Sequence, residues 1–294
     1  MHRTLEESQT RIDWLKSIPF LLIHLLPLAL FWTGARPIDW AVCIALYVVR
    51  MFFITGVYHR YFAHRSYKMG RVMQFLMAWG GASAAQKGPL WWAAHHRVHH
   101  KLSDLPGDVH SPKDGLLWSH VTWIISNAHD DTEWDKIKDF AKYPELVWLN
   151  KYHLVPPTVL GLICYLAGGW SMLLCGFFLS TALLYHGTFC INSLAHIWGR
   201  RRFVTTDTSR NSFLCALITL GEGWHNNHHY YQSSTNMGFY WWEIDVTYYV
   251  IKALSLLGLV HGLRKPPAHV LEKNRVTEHV DVGMRPSLPA PAAE

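Results

Sequence analysis

IDWAVCIALYVVRMFFITGVYHRYFAH, Ile38 to His64, is the stretch that decides the fold. From Ile38 to Tyr58 it is apolar, with Asp39 and Arg50 its only charges. A helix that crosses a bilayer needs about 20 such residues at about 1.5 Å each, and this segment supplies them. It then delivers two histidines, His59 and His64, just past its apolar end. The stretch predicts a spanning helix that carries metal-binding side chains to the membrane surface.

Three more stretches predict crossings: Ile18–Thr33, Leu154–Ala167 and Trp170–Leu194. Pro156 and Pro157 suit a first helical turn. Only GARP (34–37) joins the first pair and only GG (168–169) the second, so the four form two antiparallel hairpins. The polar regions 59–152 and 197–294 then share one side with the N-terminus. They hold most of the Lys and Arg, which makes that side cytoplasmic. The expected fold is an all-α integral membrane protein, four transmembrane helices under a cytoplasmic helical cap. Val72–Ala85 and Phe213–Leu220 are short enough to be interfacial or buried. Val246–Leu263 is long enough to span, but Glu243, Asp245 and Lys252 favour a peripheral helix. Residues 1–265 read as one domain, and 266–294, with several Pro and Ala, as a flexible tail. Arg50, near the middle of the second span, must face other helices or water.

Composition agrees. The chain of 294 residues is 50% hydrophobic and 16% charged, against about 25% charged in soluble domains. Fifteen Trp and thirteen Tyr suit the bilayer interface. The net charge of +6 reads as a positive-inside bias, and no zinc-finger or helix-turn-helix pattern points to nucleic acid. The five cysteines lie in apolar runs without a CxxC pair, as small buried hydrophobes. The polar, mixed-charge N-terminus lacks the start of a cleaved signal peptide.

Nine of the twenty histidines form four clusters: His59 and His64; His96, His99 and His100; His196; and His225, His228 and His229. In HRVHH and HNNHH the spacing is i, i+3, i+4, which puts three imidazoles on one helical face with the adjacent pair splayed toward two ions. His59 and His64, five apart, diverge on a straight α-helix. His59 is therefore placed on the last turn of its span and His64 in the chain beyond. Asn192, one turn before His196, is placed to hydrogen-bond a metal-bound water. Nine ligands suit two ions and leave room for an exogenous ligand, which points to catalysis rather than a closed structural site. Imidazole suits Zn, Cu, Fe or Ni, so spacing does not choose the metal. HExxH is absent. Glu222, Asp104 and Asp108 are candidates to orient ligating imidazoles. His24, His95, His110, His120, His153 and His186 are left as structural.

HRYFAHRSYK (59–68), HRVHHKLSD (96–104) with Asp108, NSLAH (192–196) and GEGWHNNHH (221–229) resemble the membrane fatty-acid desaturase family, most closely its acyl-CoA Δ9, stearoyl-CoA-type branch. The resemblance covers about residues 18–265. It implies two iron ions held by the nine histidines, four on one and five on the other, with a water at Asn192. It further implies O2-dependent removal of two hydrogens from a saturated acyl chain, leaving a cis double bond. Electrons would come from an external carrier such as ferredoxin or cytochrome b5 with its reductase. Hydroxylases and decarboxylases on the same scaffold are the alternative. The implied fold holds the acyl chain in an apolar tunnel. Tyr47 and Met51, one turn apart on the second span, are candidates for its floor, with ordinary helix packing the alternative. Arg60, Lys87, Arg97 and Lys101 are candidates to meet an anionic head group. The wording DLPGDVHSPKDG (104–115) departs from animal members and looks bacterial, which implies a bacterial inner membrane. It leaves acyl-CoA, acyl-carrier protein and phospholipid open as the acyl carrier.

Overall fold

The structure, a computed structural model, describes residues 11–276. Helix α1 (Ile18–Thr33) is interrupted by a 3-10 turn at Leu26–Ala29, where Pro27 supplies no N–H to the ladder. Gly34, at φ +67°, turns the chain. Helix α2 (Pro37–Ala63) starts with proline at its first position. The Arg36 backbone N–H donates to Asp39 at 2.8 Å and its guanidinium pairs with the same carboxylate at 2.7 Å. Helices α3 (Arg71–Ala82), α4 (Pro89–Leu102) and α5 (Pro144–Lys151) build the first part of the cap.

Two apolar helical runs are long enough to cross a bilayer: Pro37–Ala63, 27 residues, and Val155–His196, 42 residues. The second is not one rod. Gly169 sits at φ 69°, ψ −156°, and breaks it at the GG pair expected to turn a hairpin. The pieces are α6 (155–168) and α7 (170–192). At 1.5 Å per residue, α1 and α6 each span only about 21–24 Å, less than the ~30 Å of hydrocarbon. Length alone therefore singles out two crossings rather than the four expected. The outer faces are apolar all the same: Phe31, Trp32 and Leu166 are each more than 70% exposed.

The core gathers around α2. Met51, Ile54, Val57, Tyr58 and Phe62 are all but sealed from solvent. Small residues on α3 allow the contact: a Cβ on Gly81 would lie 2.2 Å from the Tyr58 ring. Arg50 finds its partners within the bundle. It donates to the Thr181 hydroxyl at 2.7 Å and to the carbonyls of Leu46 and Ser83 at 3.1 and 3.3 Å. All are neutral oxygens on α2, α7 and the α3–α4 connection.

The second part of the cap holds α8 (Phe213–Ile218), α9 (His225–Tyr230) and α10 (Val246–Leu256). Helix α10 has 11 residues, about 16 Å, too short to cross. A two-residue antiparallel pairing, β1 (Lys68–Met69) with β2 (Val260–His261), ties the chain after α10 to the chain after α2. Glu243 and Asp245 do not sit at a membrane interface as their charge suggested; both are buried in ion pairs with Arg202 and Arg60. The start of the segment expected to be loose packs against the cap. Helix α11 (Ala268–Glu272) follows Pro267, and Tyr230 donates to the carbonyls of Val270 and Lys273 at 3.0 and 2.8 Å. Residues 277–294 of that segment lie outside the described residues.

Helix α4 is anchored from a distance. The Asn150 side-chain oxygen accepts from Leu90 N–H (3.1 Å) and Trp91 N–H (2.8 Å), two donors that a helix start leaves unpaired. Gly88 permits the approach, because a Cβ there would lie 2.5 Å from Asn150 Cα. We expect Asn150→Ala to cost about 1 kcal/mol, as lost caps do. That lowers the thermal midpoint by about 2–4 °C, read by thermal melting in detergent; an unchanged midpoint would show that Asn150 does not cap α4.

Candidate metal centre

His59 does not end its helix, as the sequence reading had it. Helix α2 continues to Ala63, but from Phe53 it is wound as a π-helix. Its i→i+5 hydrogen bonds include His64 N–H to His59 C=O at 3.1 Å. That winding stacks residues five apart, so the two rings meet with centroids 4.8 Å apart. π-Helical segments are rare and occur mostly at functional sites.

The two HxxHH triads lie on α4 and α9. Helix α9 has six residues, too few to be stable alone. The two asparagines between its histidines hold it. Asn226 accepts from the N–H groups of Arg202 and Phe203, each at 2.8 Å. Asn227 accepts from Asn211 at 2.7 Å and donates to Glu243 at 2.8 Å. The histidines face one way and the asparagines clamp the other side.

The nine rings converge. His59, His64, His96, His100 and His228 form one group of five, and His99, His196, His225 and His229 one group of four; within each, the possible ligand atoms lie within 4.8 Å of one another. Each triad is shared between the groups. From α4, His96 and His100 join the five and His99 the four; from α9, His225 and His229 join the four and His228 the five.

The site fits a pair of cations. In the group of five, successive Nε2 atoms, His59–His228–His100–His96–His64, lie 2.9–3.0 Å apart. A metal–nitrogen bond of about 2.1 Å puts ligands at right angles about 3 Å apart. The Nε2 atoms of His99 and His229 are buried and have no hydrogen-bond partner. Buried carboxylates accept from the opposite nitrogen, Nδ1, of three rings, and a fourth lies near. Asp108 holds His99 at 2.7 Å, Asp207 holds His229 at 2.8 Å, Glu222 holds His59 in a short contact and Asp104 approaches His196 at 3.5 Å. Such bonds fix the tautomer that presents a bare Nε2 to a metal. In the described ion pairs, Asp104, Asp108 and Asp207 face imidazoles only. Burial pushes these three carboxyls up, but the neighbouring imidazoles and hydrogen bonds hold them well below the usual range, so they stay ionised. Burial lowers the pKa of His64, His96, His100, His225 and His228 well below the ordinary value, which keeps them neutral and able to ligate. Three buried carboxylates behind the rings of the group of four favour positive charge in front of them.

Asp104, Asp108 and Glu222 were legible as supports. Asp207 was not: it lies 22 residues from His229 in a Thr- and Ser-rich stretch without a spacing signal. Arg60 was assigned wrongly. It is fully buried rather than open to a head group, pairing with Glu222 and with Asp245, both at 2.8 Å. Arg97 is likewise spent on Asp139 and the carbonyls of Phe62, Ala63 and Lys136.

A narrow cavity opens onto the histidines. Ile54, Thr55, Trp92, Phe189 and Asn192 line it together with His59 and His96. Met51 and Tyr47 lie about one and two turns before this lining on α2 and close on α7, where a Cβ on Gly187 would meet the Tyr47 hydroxyl at 2.8 Å and Met51 Cε at 2.9 Å. The Tyr47 hydroxyl donates to Ile218 C=O at 2.6 Å.

Residues 37–258 match the sequence model of fatty acid desaturases. The chain belongs to the fatty acid desaturase family. It is similar to the sn-2 palmitoyl-lipid 9-desaturase of Nostoc sp. (strain 36), 35% identical over 269 residues, 88% of this chain and 93% of the relative. It is 34% identical over 262 residues to the sn-1 stearoyl-lipid 9-desaturase of Anabaena variabilis, 87% and 96% of the two chains. It is 35% identical over 229 residues to the acyl-CoA C20 Delta5-desaturase of Anemone leveillei, 76% and 73%. This desaturase is thus an oxidoreductase of lipid metabolism, with histidine clusters suited to a di-metal site.

Two outcomes follow for the desaturase. Asp207→Asn leaves the ring of His229 in place but removes the charge behind it. We expect metal affinity, read by chelator competition, to fall about 10–100-fold; unchanged affinity would remove Asp207 from the centre. In the metal-free protein the depressed imidazoles bind fewer protons than in the unfolded chain, whose values are about 6.5. Their contribution to stability is full above about pH 6.5 and is lost as pH falls toward the lower folded values. The metal-free midpoint should therefore drop steadily from about pH 7 to about pH 5. A flat profile would show that these rings are not desolvated.

Proposed function

We propose that this desaturase introduces a cis double bond, at the Δ9 position, into a saturated acyl chain in an O2-dependent reaction. The observation that carries the reading is the apolar cavity whose wall includes His59, His96 and Asn192. An acyl chain lying there puts methylene groups against the histidine groups. The nine histidines would hold two iron ions, and Asn192 would hold a water beside them. Bound iron supplies the activation of O2 that abstraction from unactivated methylenes requires. The balance is one acyl chain, O2, two electrons and two protons giving one alkene and two waters.

The chain's own residues do the rest. Trp92 stacks on the His96 ring (centroids 4.9 Å) and walls the cavity beside it. Gln86 donates to Thr188 at 2.9 Å and forms part of the same wall. Regiochemistry then follows from distance, with the closed contact of Tyr47 and Met51 on Gly187 as the floor. For the acyl carrier we favour an ester in a glycerolipid, the class named for the Nostoc and Anabaena relatives. Acyl-CoA, the carrier expected from the motifs, is named for the Anemone relative.

We place the desaturase in a bacterial inner membrane with four crossings, α1, α2, α6 and α7, and with both termini and the metal centre cytoplasmic. The break at Gly169 and the apolar outer faces of α1 and α6 support that count. Residues 1–265 act as one domain. Electrons come from an external carrier such as ferredoxin or cytochrome b5. A cleft lined by His64, Arg65, Arg97, His100 and Lys101 reaches the group of five from the surface. Its exposed Arg65 and Lys101 suit an acidic donor.

Expression in a desaturase-deficient host, with location of the new double bond by mass spectrometry, tests the reading. A loss of two hydrogens at Δ9 is expected, and His228→Ala should abolish it. An added oxygen or a terminal alkene would show a hydroxylase or decarboxylase instead. Charge reversal at Arg65 and Lys101 to Glu should raise the KM for an acidic donor at least tenfold with iron content retained; an unmoved KM would place electron entry elsewhere.

A further inference from the structure

Three cavities meet at one turn of the chain. Gln86 and Ile124 line both the histidine cavity and a vestibule whose wall carries Asp13, Lys16, Lys87 and Asp130. Pro19, Ala85, Leu154 and Tyr185 line both that vestibule and an apolar groove on the outer face, between α1 and α6. The turn Ala85–Gln86–Lys87 is therefore a threshold with a different space on each side. Its backbone is unusual, with Ala85 at φ 57° and Lys87 at φ 62°. The Tyr185 hydroxyl donates to Ala85 C=O at 2.6 Å and Gln86 bonds Thr188, so the threshold is braced by α7.

We propose that a diacyl glycerolipid straddles this turn. Its ester region and head group occupy the vestibule. The reacting chain passes Gln86 toward the histidines, and the second chain lies in the outer groove. This deepens the desaturase reading and rests on it.

Charge supports a glycerolipid over a polyphosphate carrier. In the vestibule Lys16 pairs with Asp130 and with Asp13, and Lys87 pairs with Asp130 at 3.0 Å. Among the described residues that line it, two ammonium groups meet two carboxylates, which offers several phosphates no unpaired ammonium. That balance suits a sugar or zwitterionic head group. Depth supports it as well. Pro19 opens α1 and Leu154 precedes α6, so the vestibule sits where both helices begin and the groove runs down between them past Gly161 and Leu162 to Trp170. The groove walls are apolar and face outward, as a chain entering sideways from the bilayer requires. A single-chain substrate would leave this groove without an occupant.

The test uses the full-length, iron-loaded enzyme with reductant and electron carrier in mixed micelles. The substrates are dipalmitoyl phosphatidylethanolamine, its monoacyl counterpart and palmitoyl-CoA. Thr158→Trp, at an exposed position in the groove, and Gly161→Phe, where a Cβ makes ordinary contact at 3.5 Å with Phe177, both fill the space of the second chain. The expected result is a diacyl-to-monoacyl rate ratio at least tenfold lower in both variants than in the wild type. Iron content and thermal midpoint identify a variant that misfolds, and Thr158→Trp, on the surface, serves if Gly161→Phe does so. An unchanged ratio, or a wild type that prefers the monoacyl lipid or palmitoyl-CoA by more than tenfold, overturns the proposal. A wild type that desaturates none of the three overturns the desaturase reading itself, and this one with it.

Discussion

Mostly neutral imidazoles and ionised carboxylates buried together are the constraint on which this protein depends. Five Nε2 atoms crowd at 2.9–3.0 Å spacings, and behind the rings stand three buried carboxylates whose described ion-pair partners are imidazoles and whose other partners are neutral hydroxyls and backbone N–H groups. A buried charge without compensation is strongly unfavourable. Burial also keeps protons off most of the rings, so protonation is an expensive substitute for a cation. Cations held between the rings would relieve both the crowding and the charge. The cap supplies the geometry that such ions need, and the ions would supply the charge that the cap needs.

That mutual dependence explains why so much buried polar structure surrounds the rings. Arg60 joins Glu222, the support of His59, to Asp245, which accepts from Tyr248 N–H at the start of α10. Asn227 joins α9 to Glu243. A buried ion pair contributes little net stability compared with apolar packing, and its better attested use is to fix one arrangement over others. Here the arrangement fixed is the set of angles at which four separate chain segments present nitrogens. Errors of about 1 Å at such a site are costly, which favours specificity over stability in these choices.

The sequence was most informative where local periodicity and chemistry coincide. The i, i+3, i+4 triads fall on helices as their spacing requires, and the adjacent histidines of each triad do divide between the two groups. The five-residue spacing of His59 and His64 was misread because 3.6 residues per turn was assumed; nothing in FITGVYHRYFA announces π winding. The wound segment packs closely on α3, where Gly80 and Gly81 let Phe53 and Tyr58 approach, a contact between distant parts of the chain that local periodicity does not carry. Long-range partners were invisible for a related reason. Asp207 and Asp245 are ordinary loop carboxylates until the chain folds back on itself. Glu243 and Asp245 looked like interface charges because an acidic residue beside an apolar helix carries no mark of the arginine that will meet it.

The turn at Ala85–Lys87 shows how strain and access are linked. Non-glycine residues in the left-handed region cost roughly 1–2 kcal/mol each, and two of them flank Gln86. A sequence free to choose would place glycine there, or extend α3 by another turn. Continuing α3 as a helix would close the passage between vestibule and histidine cavity, because residues 85–87 would then pack along the helix rather than across its end. Glycine would relieve the strain but would leave the turn free to move, and the position of Gln86 beside the cavity would no longer be fixed. The strained turn, braced by Tyr185 and Thr188, fixes Gln86 where the two cavities adjoin. If the double bond is placed by distance along the acyl chain, as proposed, such a fixed point matters as much as the ligands, since a distance counted from a moving threshold specifies no single carbon.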